Sequence, residues 1–370
     1  MKKLLTMATI MAASFALTAC AGDNQPAPAP TPAEPAPTAE APALTPEPEA
    51  AGTFAAGLVT DLSGVNDQSF NQSAWTGLQR LQSNIGANIS YLESMTNADI
   101  GPNLDRMLDQ NKDIIWAVSF LAADDIASQA MINPDQIYGI VDYNFGDDIA
   151  PNVVAVEFRD NENTFLAGYM AAVHSESKII GFIGGMDIPV IERFEAGFVA
   201  GAEYAAANHG FEVEVLVQYI GDFSDTAIAR GIATTMYTGG ADVVFAAAGG
   251  AGQGLIDTAI EMDRYVIGVD MDQSHLAPEH MITSTLKLVG DTMYDVSRRL
   301  SEGESVGGQN INVGIVEGGV GISPFEGSTA ALVDRAIFDS TMAASDRIAN
   351  GTLIVPSDRV ELAEFIANLG

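Results

Sequence analysis

The sequence predicts an α/β fold in which two doubly wound lobes face each other across a cleft. From residue 54 onward, ten short runs rich in β-branched and aromatic residues alternate with helical patterns, which indicates βαβ units and parallel sheets. Ten strands are many for one open sheet, and a division near "NVVAVEFRDNENTF" separates them into two halves. The 319 residues that remain of the 370 after residue 51 are also enough for two lobes.

The predicted elements follow one another without a break. The first five strands are "FAAGLVT", "NISYLE", "DIIWAV", "QIYGIV" and "NVVAVEF", with helices at 69–84, 98–111, 122–131 and 160–175. The second five are "KIIGFIGG", "FEVEVLVQYI", "DVVFAAA", "YVIGVD" and "MITSTLK", with helices at 189–208, 225–238 and 251–263. Nearer the carboxyl terminus, "NINVGIVEGGVGISPF" fits either a crossing between lobes or a pair of strands.

The first helix is preceded by a polar loop. Ser69 followed by Gln72 predicts a capping box at its amino terminus. Four apolar residues recur at helical spacing and are predicted to face the sheet: Trp75, Leu78, Leu81 and Ile85. Phe70 occupies the first helical position outside this stripe, so core packing does not account for its large ring.

The amino terminus is typical of an exported lipoprotein. Residues 1–20, "MKKLLTMATIMAASFALTAC", have two lysines, an apolar stretch and a small-residue cleavage site, which predicts a signal peptide. Leu-Thr-Ala-Cys resembles a lipobox, so Cys20, the only cysteine, is the expected lipid anchor and no internal disulfide is expected. Residues 21–51 are rich in Pro, Ala and Glu, a composition that predicts a disordered tether.

The charge balance excludes one large class of partner. The chain has 16 basic and 49 acidic residues, a net charge of −33. So negative a field repels nucleic acid, and no nucleic-acid partner is expected. The same acidity is typical of exported proteins from salt-rich surroundings, where the charges are screened.

Residues that directly follow the predicted strands form the candidate site, because ligands of open α/β sheets bind beyond the carboxyl ends of the strands. These positions hold mainly carboxylates and glycines with two phenylalanines: 61–71, Asp142, Met186, Asp187, 221–223, Gly249, Gly250, Asp270 and Lys287. This chemistry suits a neutral polar ligand that has one flat apolar face.

Catalytic and cofactor patterns find little support. The four histidines lack metal-ligand spacing, so no metal site is expected. There is no Gly-x-Ser-x-Gly elbow, and "GGAGQG" lacks the Lys-Ser/Thr of a phosphate-binding loop. The same stretch also departs from the dinucleotide-binding fingerprint, because Leu255 stands where that pattern requires its third glycine. We therefore expect that the protein binds no cofactor and is not an enzyme.

Six stretches carry a family resemblance: "LVTDLSGVNDQSFNQSAWTGL", "GFIGGMDIPVIERFEAGFVAGA", "YIGDFSDTAIARGIA", "DVVFAAAGGAGQGLI", "VIGVDMDQSHLAP" and "ITSTLKLV". In this order, over about residues 54–300, they resemble the basic membrane protein family, substrate-binding lipoproteins of ABC importers that include purine-nucleoside receptors. The resemblance implies a type I periplasmic-binding-protein fold, with two Rossmann-like lobes joined by a three-crossing hinge. Lobe I is then expected at 52–157 plus about 272–320, and lobe II at 158–271 plus about 321–370.

The resemblance also implies roles for single residues. Phe70 and Phe223 would stack on a purine base. Asp61 and Asn71 would hydrogen-bond the edges of the ligand, and Asp142 would accept from N–H groups of the base. Other residues would serve the ribose, by side chain or by backbone amide: Asp270, Lys287, Gly249 and Gly250. Most of these residues have an ordinary alternative: lobe packing for the phenylalanines, helix capping for Asp61 and Asp142, turn geometry for the glycines, and a surface position for the lysine.

The expected function is that of a monomeric receptor, anchored in the cell membrane and facing the periplasm or the outside. It would capture nucleosides, purine nucleosides above all, by hinge closure and deliver them to an ABC transporter permease. Two alternatives stay open: a sugar or other small-molecule binding protein or sensor ectodomain of the same fold, and a nucleoside hydrolase or phosphorylase.

Overall fold

Two six-stranded sheets form the framework of the protein in a computed structural model that describes residues 53–369. The first sheet has the order β11-β5-β4-β3-β1-β2, and all its pairs are parallel. Its strands are β1 (Ala55–Val59), β2 (Asn88–Leu92), β3 (Ile114–Val118), β4 (Ile137–Val141), β5 (Val153–Phe158) and β11 (Gln309–Val313). We call this sheet with its helices lobe I.

The second sheet, the centre of lobe II, repeats the same order as β12-β10-β9-β8-β6-β7. Only β12 runs antiparallel to its neighbour. The strands are β6 (Ile179–Gly184), β7 (Glu214–Tyr219), β8 (Val243–Ala247), β9 (Tyr265–Gly268), β10 (Met281–Lys287) and β12 (Val320–Ile322).

Helices cover both faces of the sheets, which is why every residue of central strands such as β1, β3 and β8 is buried. The helices are α1 (Phe70–Ile85), α2 (Ile100–Leu108), α3 (Ala123–Ile132), α4 (Asp160–His174), α5 (Pro189–His209), α6 (Thr226–Thr238), α7 (Gln253–Met262), α8 (Val289–Ser301), α9 (Gly327–Leu332), α10 (Arg335–Ala349) and α11 (Arg359–Ala367). None of the helices between residues 53 and 369 has both the length and the apolar character needed to span a bilayer.

The chain passes three times between the sheets, at 158–160, 287–289 and 313–320. The predicted fold class, two doubly wound α/β lobes with a three-crossing hinge, is thereby confirmed. The stretch "NINVGIVEGGVGISPF" is a crossing, because its two strands belong to different sheets. The return to lobe I differs from the expected position near residue 272: β10 pairs with β9, so the chain stays in lobe II until Lys287.

The amino terminus of α1 lies at Phe70, as predicted, but the predicted capping box is wrong. Asp67 caps the helix instead: its Oδ1 accepts from the backbone N–H groups of Ser69 (2.9 Å) and Gln72 (3.0 Å), and its Oδ2 from that of Asn71 (2.9 Å). The Ser69 hydroxyl donates to Asp270 of lobe II instead, and the Gln72 side chain accepts from the backbone N–H of Gln68.

The apolar stripe of α1 faces the sheet over most of its length. Leu78 and Leu81 are fully buried, and Trp75 is half-buried beside Tyr91, with ring centroids 4.9 Å apart. For Ile85 the prediction is wrong, because this side chain is 41% exposed in the last turn of the helix.

Candidate functional site

A cavity lies between the lobes, at the carboxyl ends of the strands of both sheets. Together with the part of its mouth that is open to solvent, it contains about 550 Å³ of space not occupied by atoms. Its walls are Asp61, Phe70, Ser119, Phe120, Leu121 and Asp142 from lobe I, and Ile188, Val190, Ile191, Phe194, Phe223, Ala247, Ala248, Gly249, Val269, Asp270 and Lys287 from lobe II and its boundary with the hinge.

Seven of the nine residues that the sequence proposes as ligand contacts line this cavity: Asp61, Phe70, Asp142, Phe223, Gly249, Asp270 and Lys287. Gly250 lies just behind the wall, where an added Cβ would stand 3.7 Å from the Phe223 carbonyl oxygen. Asn71 is also behind the wall, fully buried. The cavity therefore brings the proposed polar and aromatic groups together, with two of them in supporting positions.

Asn71 holds Asp61 in place. Its Nδ2 donates to Asp61 Oδ1 (2.6 Å) and to Asp67 Oδ2 (2.8 Å), while its Oδ1 accepts from the Asp61 backbone N–H (3.1 Å). These bonds use both donor hydrogens and one acceptor site of the amide. The backbone N–H of Ser63 also donates to Asp61 Oδ1 (2.9 Å). Burial raises the pKa of Asp61 to about 7 despite these bonds, so near neutral pH the group exists in both protonation states.

Asp142 and Asp270 occupy equivalent places in the two lobes, after the third strand of each sheet order. Both have left-handed backbones, with φ of 67° and 64°, a conformation that non-glycine residues seldom adopt outside turns and functional sites. Burial raises the pKa of Asp270 to about 6, an effect that Lys287 and the Ser69 hydroxyl oppose. The fold thus points one carboxylate from each lobe at the same cavity.

Lys287 is the last residue of β10 and is buried, with 2% of its surface exposed. Its Nζ lies 2.7 and 2.8 Å from the two carboxylate oxygens of Asp142 and 3.0 Å from Asp160 Oδ2. Burial alone would lower the pKa of this ammonium, but Asp142 and Asp160 raise it above its ordinary value. Lys287 is therefore a fixed cation at the boundary between the cavity and the hinge, and not a surface residue.

Aromatic rings stand close to this cation. Lys287 Nζ lies 5.1 Å from the centre of the Phe70 ring and 5.3 Å from that of Phe194. Both rings line the cavity, as does Phe223 on lobe II. Flat apolar surface and hydrogen-bonding groups are thus available in one enclosed space.

Part of the cavity wall consists of residues that were not predicted from the sequence. Ser119 and Phe120 directly follow β3, so the strand-end rule applied to "DIIWAV" would have found them. The apolar residues of α5 that face the cavity, Val190, Ile191 and Phe194, follow the ordinary pattern of a core-facing helix, and no sequence signal separates them from core.

The lobes touch across the cleft through the loop before α1. Ser63 Oγ donates to the Phe223 carbonyl oxygen (3.2 Å), and the Ser69 hydroxyl donates to Asp270. From the other side, Gln273 Nε2 donates to the Gln68 carbonyl oxygen (2.9 Å). These contacts describe a closed arrangement of the lobes.

Comparisons with known proteins agree with this architecture. "Basic membrane protein D" of Borreliella burgdorferi (strain JD1) is 34% identical over 308 residues, which cover 82% of this chain and 88% of that protein. The "ABC transporter nucleoside-binding protein BmpA" of Lactococcus lactis subsp. cremoris (strain MG1363) is 36% identical over 323 residues, 82% of this chain and 89% of its own. Each similarity covers about four fifths of this chain.

Solved structures show the same fold. An ABC transporter system solute-binding protein from Aeropyrum pernix K1 has a TM-score of 0.79 at 24% identity, with 85% of this chain and 97% of that chain covered. The model of a protein family described as "ABC transporter substrate-binding protein PnrA-like" matches residues 54–359. The chain therefore belongs to the Bmp family of PnrA-like ABC transporter substrate-binding proteins.

Proposed function

We propose that this protein is the nucleoside receptor of an ABC importer and that it favours purine nucleosides. The observation that carries the proposal is the cavity between the lobes, where four phenylalanines, three carboxylates and one lysine meet. A purine nucleoside has the matching parts: a flat base that stacks, N–H groups that donate, and a sugar whose hydroxyls both donate and accept. The Lactococcus lactis relative named as a nucleoside-binding protein supports the same ligand class.

In the proposed complex the base lies between Phe70 and Phe223. Stacking contributes on the order of 1 to 3 kcal/mol per base. Asp61 and Asp142 accept from N–H groups of the base; the ion pair of Asp142 with Lys287 does not prevent this, because a carboxylate has several acceptor positions. Asp270 accepts from the ribose hydroxyls, Lys287 donates to the same sugar, and the backbone amides of Gly249 and Gly250 approach it.

Capture would proceed by hinge closure. Phe70, Asp61 and Asp142 belong to lobe I, whereas Phe223 and Asp270 belong to lobe II. A ligand that binds both groups favours the closed state over the open one, since only the closed state makes both sets of contacts.

The delivery step is also part of the proposal. The receptor would be held to the cell membrane by a lipid on Cys20 and by the tether of residues 21–51, both outside the described residues. It would act as a monomer on the outer side of that membrane and pass its ligand to the permease of an ABC transporter.

Isothermal titration of the full chain tests the ligand class. We expect inosine, guanosine or adenosine to bind more tightly than the matching monophosphate by about a hundred-fold or more, because the phosphate meets like charges in the cavity. Equal affinities for inosine and its monophosphate would contradict the charge argument.

Two further measurements address the alternatives, a sugar receptor and an enzyme that cleaves nucleosides. Ribose alone lacks the stacking partner and is expected to bind at least about ten-fold more weakly than inosine; equal binding would favour a sugar receptor. Chromatography of inosine after incubation with excess protein is expected to show no hypoxanthine, and its release would identify a hydrolase or, with added phosphate, a phosphorylase.

A further inference from the structure

We propose that Asp160 is a positioning residue that holds the Lys287 ammonium in place for the ligand and ties it to the hinge. The inference rests on the proposed function, because it assigns Lys287 to the sugar of a bound nucleoside. No role for Asp160 was predicted from the sequence, and Asp160 does not line the cavity.

Asp160 stands at a junction of the hinge. It is the first residue of α4, immediately after the first crossing, and it is fully buried. Lys287 ends β10 at the second crossing. The bond of 3.0 Å between Asp160 Oδ2 and Lys287 Nζ therefore joins two of the three crossings. A second hydrogen bond between the same two segments joins Asn163 Nδ2 to the Leu286 carbonyl oxygen (2.8 Å).

The third crossing meets the same turn of α4. The backbone N–H of Ile315 donates to Glu162 Oε2 (2.7 Å), and the side chain of Arg159, just before α4, donates to Glu317. The first turn of α4 thus contacts both other crossings. Asp160 lies on this turn and bonds Lys287, so it fixes the position of Lys287 relative to all three crossings.

The number of hydrogen-bond donors on the Lys287 ammonium explains why two carboxylates are needed to orient it. A lysine ammonium has three N–H donors. Within residues 53–369, Asp142 and Asp160 each accept one, at 2.8 and 3.0 Å, which leaves the third for a ligand in the cavity. Two fixed acceptors, one from lobe I and one from the hinge, determine the direction of the free donor.

Without Asp160 the ammonium loses one of these restraints. The remaining carboxylates near it are Asp142 and Asp270, which are both cavity residues. Direct pairing of Lys287 with Asp270 would occupy the carboxylate that is proposed to accept from the ribose. Arg193, another cation nearby, cannot replace Lys287. The Arg193 guanidinium is bound to Glu157 Oε1 (2.6 Å) and to the Phe158 carbonyl oxygen (2.8 Å).

The test compares Asp160→Asn with the wild type by titration with inosine and with hypoxanthine. Asn keeps the size of the side chain and removes its charge. We expect the Kd for inosine to rise about ten-fold or more, because one partner of a buried ion pair is lost. The Kd for hypoxanthine, which has no sugar, is expected to stay within about two-fold, whereas a merely structural role would weaken both ligands equally.

Asn163→Ala is the matched control. It removes the neighbouring bond between the same two crossings but leaves Lys287 with both carboxylates, and the expected change for inosine is below about three-fold. If Asp160→Asn leaves inosine binding unchanged, or weakens inosine and hypoxanthine alike, the positioning role is wrong. If that variant does not fold, Asp160→Glu moves the carboxylate by one methylene; an unchanged Kd for inosine would overturn the inference equally.

A second readout needs no ligand. With ¹⁵N-labelled lysine, the full chain gives at most five ammonium signals, one for each lysine, and Lys287 would be assigned by the signal lost in Lys287→Met. We expect that signal to shift in Asp160→Asn and to stay in Asn163→Ala. Failure of the wild type to bind inosine would contradict the proposed function alone, while an unshifted signal would contradict the role of Asp160.

Discussion

At the residue scale, buried carboxylates dominate the electrostatics of the cavity. Burial is the largest cause of the raised pKa values of Asp61, about 7, and of Asp270, about 6. In the unfolded chain an aspartate titrates near 3.8. Between these values the folded state binds more protons than the unfolded state, so these two groups lower the free energy of unfolding as the pH rises from about 4 towards 7.

The variant Asp270→Asn isolates one such contribution. Removing a group that costs stability when it ionises should make the variant gain stability relative to the wild type as the pH rises from 5 to 8, as measured by urea unfolding of the ligand-free full chain. The difference between the proteins is the diagnostic quantity, because burial also lowers the pKa of His174, whose contribution has the opposite sign.

Asp99→Asn serves as the control for this pH series. The pKa of Asp99 lies below its ordinary value because of hydrogen bonds from Thr96, so the carboxylate does not titrate between pH 5 and 8. The stability difference between this variant and the wild type is expected to be constant over that range. A constant difference for Asp270→Asn as well would contradict the raised pKa.

At the element scale, α1 shows how one helix terminus is built for the cavity. Asp67 takes over the capping that Ser69 and Gln72 were predicted to provide, and this frees the Ser69 hydroxyl to reach Asp270. The helix therefore begins at Phe70, whose ring lines the cavity and also packs against the edge of the lobe I core. The same Asp67 carboxylate fixes Asn71, which in turn holds Asp61.

The capping role predicts unequal effects of two substitutions. Asp67→Ala removes the cap of α1 and is expected to lower the free energy of unfolding by about 1 to 2 kcal/mol. Gln72→Ala removes only a partly exposed bond and is expected to cost less than about 0.5 kcal/mol. Urea unfolding of both variants measures the difference, and equal losses would restore the capping box as the better description.

At the scale of the whole molecule, charge sets the conditions under which the fold is stable. The 49 acidic and 16 basic residues give a net charge of −33, whose self-repulsion opposes the compact state. Several of the cations are taken up by ion pairs, such as those of Arg298 with Asp295 and Glu302. Screening by salt should weaken the remaining repulsion.

We therefore expect the midpoint of thermal unfolding to rise when NaCl is increased from about 0.1 M to about 1 M, where the Debye length shortens from about 10 Å to about 3 Å. Sodium chloride is preferable to a sulfate, because sulfate also strengthens the burial of apolar surface. An uncharged solute at the same osmolality is the control. A midpoint that falls or stays constant with NaCl would show that self-repulsion does not limit stability.

The amino-acid sequence alone predicts the class of fold, and most of the contact residues proposed from it line one cavity. Alternation of strand and helix patterns is a local property, and in open α/β sheets the strand ends define where ligands bind, so residues as distant as Asp61 and Lys287 were assigned to one site. The family resemblance added the proposed ligand class. Nothing local, however, specifies which partner a buried side chain will find.

Those partners depend on how distant segments of the chain pack together. Asp160 bonds Lys287 across 127 positions of sequence, and Asn71 supports Asp61 behind the cavity wall. The point where the chain returns to lobe I was likewise decided by the pairing of β10 with β9. Periodicity reports which face of an element is buried, whereas packing between distant segments determines what lies opposite that face, and this second kind of information exists only in the folded chain.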